Sequence, residues 1–209
     1  MDFLSDLSKK ERDVLIKAFG GSITIAPVTF DYLCVVGPYI LAEYYRENES
    51  YKKAFELYKT VVDEYKIGHS APNQKIEEKI TLAYYNSITY LGMFYYCGMG
   101  VEPDEKKGVA LCKKSADENN DPEALNLLGC AYWEGAIGAR DEDMAFYYYK
   151  KSADLGNTAA QNSLGRMYEF GKNRDLEKAF YWYKMAAEQG DELATENMMR
   201  LKGNKNISR

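Results

Sequence analysis

The residues able to do chemistry in this sequence are few, and their spacing is unhelpful to catalysis. The one histidine is His69, in the stretch KIGHSAPNQK. A Ser-His-Asp or Cys-His apparatus would need its imidazole as the base, and no nucleophile phrase stands beside it. Cys34, Cys97, Cys112 and Cys130 share no C-x-x-C spacing and have no histidine near them. They therefore read as reduced thiols packed like small apolar side chains, and not as zinc ligands. Gly98-Met99-Gly100 offers two glycines of a nucleotide loop, lacks the third, and follows a helical stretch where a strand is required. Carboxylates are plentiful but fall at helix starts and outer helix faces. The expectation is no catalytic residue, no cofactor and no metal: a protein that is not an enzyme.

Composition narrows the partners. The 209 residues carry a formal net charge of −5, with an isoelectric point near 5.1. Nucleic-acid binders more often carry a basic surplus, so no nucleic acid is expected. No apolar run is long enough for a secretory signal or a membrane span, so we expect no membrane partner and a cytoplasmic location. A hydrophobic fraction of 46% with 28% charged residues suits a folded, soluble chain of one or two domains.

The elements that position side chains are written as a repeat. Leu91-Gly92 returns as Leu128-Gly129 and again as Leu164-Gly165, 37 and then 36 residues on. A Tyr follows each Gly by three residues, and a second Gly follows that Tyr by three (Gly98, Gly135, Gly171). Asp104, Asp141 and Asp175 keep the beat, as do Gly108, Ala145 and Ala179, and then Ala116, Ala153 and Ala187. A fixed period of this length marks a solenoid of helical hairpins. The first helix of each unit should end at the second Gly, in the left-handed conformation that closes a helix. The Asp should cap the second helix, with Glu105, Glu142 and Glu177 in its first turn favouring the positive end of the helix dipole. A Gly inside a helix costs about 1 kcal/mol against Ala, so Gly92, Gly129 and Gly165 should serve a close contact between the paired helices, with the small Ala opposite sharing it.

This pattern resembles the Sel-one-like repeat, a cousin of the tetratricopeptide repeat. The resemblance rests on Leu164, Gly165, Tyr168, Gly171, Asp175, Lys178, Ala179, Trp182, Tyr183, Ala186, Ala187 and Gly190, and covers residues 87 to about 201. The last repeat is two loop residues shorter than the one before it. The resemblance implies an all-α, right-handed α-solenoid of stacked helix-turn-helix repeats. It also implies scaffolding of complexes, in signalling, secretion or host contact. A cysteine-rich secreted branch of the family, reported to bind β-lactam-type ligands, pairs cysteines regularly in each repeat. Here Cys112 stands where Tyr149 and Tyr183 stand later, with no second Cys at a repeating offset, so that branch is not carried over.

Around the repeats we expect four segments. Residues 1–30 hold an N-terminal helix, opened by a Ser8-x-x-Glu11 capping box and closed at Gly20-Gly21, then an extended segment, SITIAPVTF. Residues 31–75 hold a tetratricopeptide-like hairpin and loop, in which Leu41, Ala42 and Tyr45 stand for the Leu-Gly-Tyr phrase. Ala54 follows Ala42 by only 12 residues, which predicts a tight turn. Pro38 should start its helix or bend it. Residues 76–190 hold three Sel-one-like repeats, the first helix running over about 76–97. Residues 191–209 hold a C-terminal capping helix, with Met199 in the place of the Gly, and a loose tail.

With no chemistry to place, function falls to a surface. Stacked hairpins expose a concave face lined by the first helix of each unit. By analogy with tetratricopeptide grooves, its exposed positions are Tyr39, Glu43 and Arg46; Thr89, Met93 and Tyr96; Asn126, Cys130 and Trp133; and Asn162, Arg166 and Glu169. Trp133 is the leading candidate. The corresponding positions hold Arg46, Tyr96 and Glu169, so the core does not demand an aromatic there, and exposed Trp, Tyr and Arg anchor binding hot spots. Against this, Trp133 could pack under the adjacent loop, and Asn126 and Asn162 could be structural. The expected function is a non-catalytic adaptor or scaffold binding a protein or peptide on the concave face. The alternative is a dedicated inhibitor or immunity protein with one cognate toxin or enzyme.

Overall fold

The computed structural model describes residues 7–19, 30–67, 71 and 73–203, with side chains in the first long helix from Cys34 onward. His69, Gly20-Gly21, nearly all of SITIAPVTF and nearly all of the C-terminal tail lie outside the described residues. Among the described residues the regular structure is entirely helical: α1 (Lys9–Ala18), α2 (Phe30–Glu47), α3 (Tyr51–Ile67), α4 (Gln74–Cys97), α5 (Glu105–Asn119), α6 (Pro122–Glu134), α7 (Glu142–Asp154), α8 (Thr158–Phe170), α9 (Leu176–Glu188) and α10 (Glu192–Gly203). The chain divides into two compact units, residues 1–111 and 112–209.

In the first unit α1 packs on α2, α2 on α3, and α3 on α4. The capping box forms as the sequence requires: the Glu11 amide donates to Ser8 Oγ, and the Ser8 amide donates to Glu11 Oε2 at 2.7 Å. Leu15 and Leu41 are fully buried together, and the Tyr45 hydroxyl donates to Glu11 Oε1 at 2.6 Å, so the N-terminal helix is seated on the first hairpin. Burial and that carboxylate push the Tyr45 hydroxyl up to about 12. The tight turn is present, with three residues between the end of α2 and the start of α3 and Glu49 in the left-handed region at φ 57°. The helix does not begin at Pro38, however. It begins at Phe30 and carries Pro38 in its interior, where the missing N–H costs one backbone hydrogen bond. The core below is aromatic: Tyr58 stacks on Tyr90 at 5.0 Å and meets Phe94 edge-on at 5.8 Å.

In the second unit α6 pairs with α7, α7 with α8, α8 with α9, and α9 with α10. Asp141 accepts from the amides of Asp143 and Met144, and Asp175 from those of Glu177 and Lys178, so both cap their helices as the repeat predicts. Asp104 does the same for α5 through the Lys107 amide. The loop before each cap is tied down at one more point. The Asp141 amide donates to the Tyr132 carbonyl at 2.9 Å and the Asp175 amide to that of Tyr168 at 2.7 Å, matching Asp104 on Tyr95 at 2.7 Å. The Tyr of the repeated phrase thus supplies a backbone anchor besides its ring.

Two expectations need correction. Gly98 and Gly135 close their helices in the left-handed region, at φ 69° and 76°, but Gly171 is extended, at φ −81° and ψ 178°. Its loop is two residues shorter, and a straight exit reaches Asp175 sooner. Gly is still required there, because a Cβ would run into the Met167 carbonyl oxygen. The partner of the buried Gly also differs from the expected Ala. A Cβ on Gly129 would lie 2.6 Å from the Tyr149 ring, and one on Gly165 2.7 Å from the Tyr183 ring. The glycines make room for an aromatic ring laid across the helix. In the hairpin that carries Gly92, a Cβ on Gly108 would lie 2.6 Å from the Gly92 carbonyl oxygen, so there the two backbones themselves are in contact.

All four cysteines are free thiols, Cys112 buried and Cys97 exposed. Thiol titration in denaturant, without reductant, should find four groups per chain. A count of two or none would mean disulfides in the native protein and an oxidising compartment.

Candidate functional site

Among the described residues no group of three or more His, Cys, Asp and Glu side chains could hold a metal ion. One concavity of the second unit is a cleft of about 260 Å³. Its walls are Cys130, Trp133 and Glu134 from α6, and Ser163, Arg166, Met167 and Phe170 from α8, with Tyr149 of α7 beneath. The spacing explains this. Cys130 and Trp133 are three residues apart, Ser163 and Arg166 likewise, and Arg166 and Phe170 four, so each set shares one face of its helix. The Leu-Gly phrase points its Leu into the core and turns the residue after the Gly toward the cleft.

Tyr149 forms the floor because Gly129 leaves space for its ring. Its hydroxyl donates to Cys130 Sγ at 3.3 Å. Burial, and then Cys130, push that hydroxyl well above its ordinary value, so it stays a neutral donor. Trp133 is half-buried, and the Arg140 guanidinium, held by Glu142 at 2.9 Å, lies 3.7 Å from its ring centroid. The adjacent loop therefore covers one face of the indole, while another part of the residue lines the cleft. Arg166 is exposed and makes no ion pair with a described carboxylate. Phe170 is 71% exposed. It stands at the register of Cys97 and Glu134, so no core position demands an aromatic there; the reasoning that singles out Trp133 would have found it.

The other groove positions divide. Asn162 is buried and accepts from Asn197 at 3.3 Å. Glu169 is buried too, receiving Arg200 in a two-pronged pair at 2.5 and 2.8 Å and the Tyr183 hydroxyl at 2.9 Å. Burial alone would raise the Glu169 carboxyl, but the hydrogen bonds from Arg200 and Tyr183 outweigh it and hold it below its ordinary value. The expected exposure therefore fails at Asn162 and Glu169, and at Thr89 in the first unit. Asn126 is half-buried, with its Oδ1 shielded and unpartnered. In the first unit Tyr39 receives Asn86 at 3.0 Å. Arg46 pairs with Glu43 at 2.7 Å and lies 4.8 Å over the Tyr90 ring, while the Tyr58 hydroxyl also donates to Glu43. Met93 and Tyr96 are half-buried, and Thr89 is buried.

The family model described as Sel1 repeat matches residues 86–120, 122–157 and 158–191. Among solved structures, the chain is similar to a Sel1 repeat protein from Oxalobacter formigenes, at 20% identity and a TM-score of 0.67 over 95% of this chain and 76% of that one. It is also similar to c5321, described as a protective antigen present in uropathogenic Escherichia coli strains and displaying an SLR fold. That match has 22% identity and a TM-score of 0.57, over 97% of this chain and half of the antigen. At these identities the likeness concerns the fold. No described helix is long and apolar enough to cross a membrane.

Proposed function

Since the chain belongs to the Sel1-repeat family, a family generally of protein-interaction scaffolds, we propose that it is a non-catalytic module that binds a protein or peptide. The α6–α8 cleft is its principal contact. The supporting observation is the cluster of Trp133, Arg166 and Phe170 around one concavity. Aromatic and Arg side chains at a partly desolvated depression are the usual anchors of a binding hot spot, and pockets that take partner side chains carry most of the energy of an interface. Of the groove positions read from the sequence, Cys130, Trp133 and Arg166 meet at this cleft. Asn126 is proposed as an outer contact of the cleft, and Tyr39, Arg46, Met93 and Tyr96 as partner contacts of the first unit by itself. Asn162 and Glu169 are proposed as supports that hold α8 in place.

The test is a phage-displayed library of random 12-residue peptides, selected on the full chain. Titration of a winning peptide should show about a thirtyfold loss of affinity in Trp133→Ala, equivalent to about 2 kcal/mol. The melting temperature should move far less, since only part of the indole is packed. If Trp133→Ala lowers the melt and leaves affinity intact, Trp133 is a structural residue and the cleft is not the site.

A further inference from the structure

We propose that the occupant of the α6–α8 cleft is an acidic peptide, one that places a large apolar side chain beside Trp133 and an Asp or Glu carboxylate on Arg166; the proposal rests on the cleft being the binding site. It starts from how this chain treats its arginines. Arg46 is given Glu43, Arg140 is given Glu142, and Arg200 is given Glu169, each pair within 3 Å; Arg12 donates to the Leu7 carbonyl, and Arg174, exposed in the loop before Asp175, does not line the cleft. Arg166 stands on the cleft wall, is exposed, and has no described carboxylate of its own. The chain carries 32 acidic against 27 basic residues, so carboxylates are in surplus and this cation is nonetheless left open. A guanidinium presents a planar fork of donors that a carboxylate matches in two-pronged geometry, as Arg200 and Glu169 show in this same unit.

The apolar half of the ligand follows from the neighbours of Arg166. Met167 precedes Phe170 on α8, Trp133 faces them from α6, and Tyr149 closes the floor. A space of about 260 Å³ admits one large side chain and not the edge of a folded domain. Phe170, at 71% exposure, is apolar area that such a side chain would remove from water. Arg166 lies one helical turn before Phe170, so a carboxylate one or two residues from the apolar anchor reaches it. The Arg140 guanidinium over Trp133 is paired with Glu142, which leaves Arg166 as the cation of this wall without a described carboxylate of its own. Glu134, also on the wall, repels a carboxylate, so the acidic group of the peptide is confined to the Arg166 side of the cleft.

The peptide library of the preceding section decides this. Enriched sequences should carry Asp or Glu within two residues of Leu, Phe, Tyr or Trp. A synthetic winner and its Glu→Gln twin, titrated by fluorescence anisotropy, should differ about fivefold in affinity at low salt. The gap should shrink as salt rises, because an exposed pair is screened. Arg166→Glu should lose about tenfold for the acidic peptide and gain for a Glu→Lys twin, with an unchanged thermal melt. Neutral apolar winners that bind Arg166→Glu equally well, yet lose affinity in Trp133→Ala, overturn the acidic assignment and leave the cleft as the site. Basic winners overturn it as well. Winners indifferent to Trp133→Ala, or no enrichment at all, remove the cleft and this inference together.

Discussion

Gly129→Leu should lower the melting temperature of this protein by about 10 °C. The Cβ alone would lie 2.6 Å from the Tyr149 ring, and three further carbons would have to enter the same closed contact. Gly129 and Ala145 are fully enclosed, and Tyr149 is 5% exposed, so neither helix can turn the new side chain to solvent. Overpacking of this kind costs about 1–3 kcal/mol, and a ring backed by two helices places it at about 3. For a unit of roughly a hundred residues that corresponds to about 10 °C or more. A second substitution separates this cause from a generic loss of fit. At the register of Tyr149, another hairpin of this chain uses Cys112. Gly129→Leu combined with Tyr149→Cys should recover part of the loss, because the added carbons then occupy space that the ring has vacated. Thermal melts of the two single variants and the double variant check this. Additive losses, or an unchanged midpoint for Gly129→Leu, would show that the ring does not define the contact.

The second large effect is expected at Glu169. Glu169→Leu leaves the Tyr183 hydroxyl without its acceptor in a closed interior, a loss of about 1–3 kcal/mol, and removes the two-pronged pair with Arg200. Arg200 is 45% exposed and can return to water, so the pair is discounted well below the cost of a fully buried one. The sum is about 3 kcal/mol. The carboxyl carries a pH signature as well. Its value in the folded protein lies below the ordinary 4.5, so the folded state favours the ionised form. That contribution is fully present above the unfolded value and is lost as pH falls through the folded one, below about 4.5. Melts of the wild type and Glu169→Gln between pH 7 and pH 3 should therefore converge toward acid. Parallel curves would mean that the charge at this position does not stabilise the fold.

What the sequence determined by itself was local. A capping box, an Asp before a helix, a Leu-Gly pair in a fixed period and an apolar stripe act within about four residues of themselves, and they read the same wherever the hairpin sits. Hence the helical architecture, the caps at Asp104, Asp141 and Asp175, and the buried register of Leu128 and Leu164 were legible. The caps of the opposite set of helices, Asp121, Asn157 and Asp191, stand 36 and then 34 residues apart and accept from the first turn in the same way, a second beat to which the Leu-Gly phrase does not point. Tertiary structure decided what each side chain touches. Tyr149 crosses 20 residues to lie on Gly129, Arg200 crosses 31 to hold Glu169, and the Arg140 loop folds back on Trp133. Gly171 takes an extended exit because its loop is short, although its place in the phrase is that of two left-handed caps. The positions of Glu169 and Trp133 are equivalent in the repeat, yet one is spent inside the fold and the other lines a cleft. The period fixes only the direction in which a side chain leaves its helix; the neighbour it meets there is supplied by another helix, with its own sequence and its own distance.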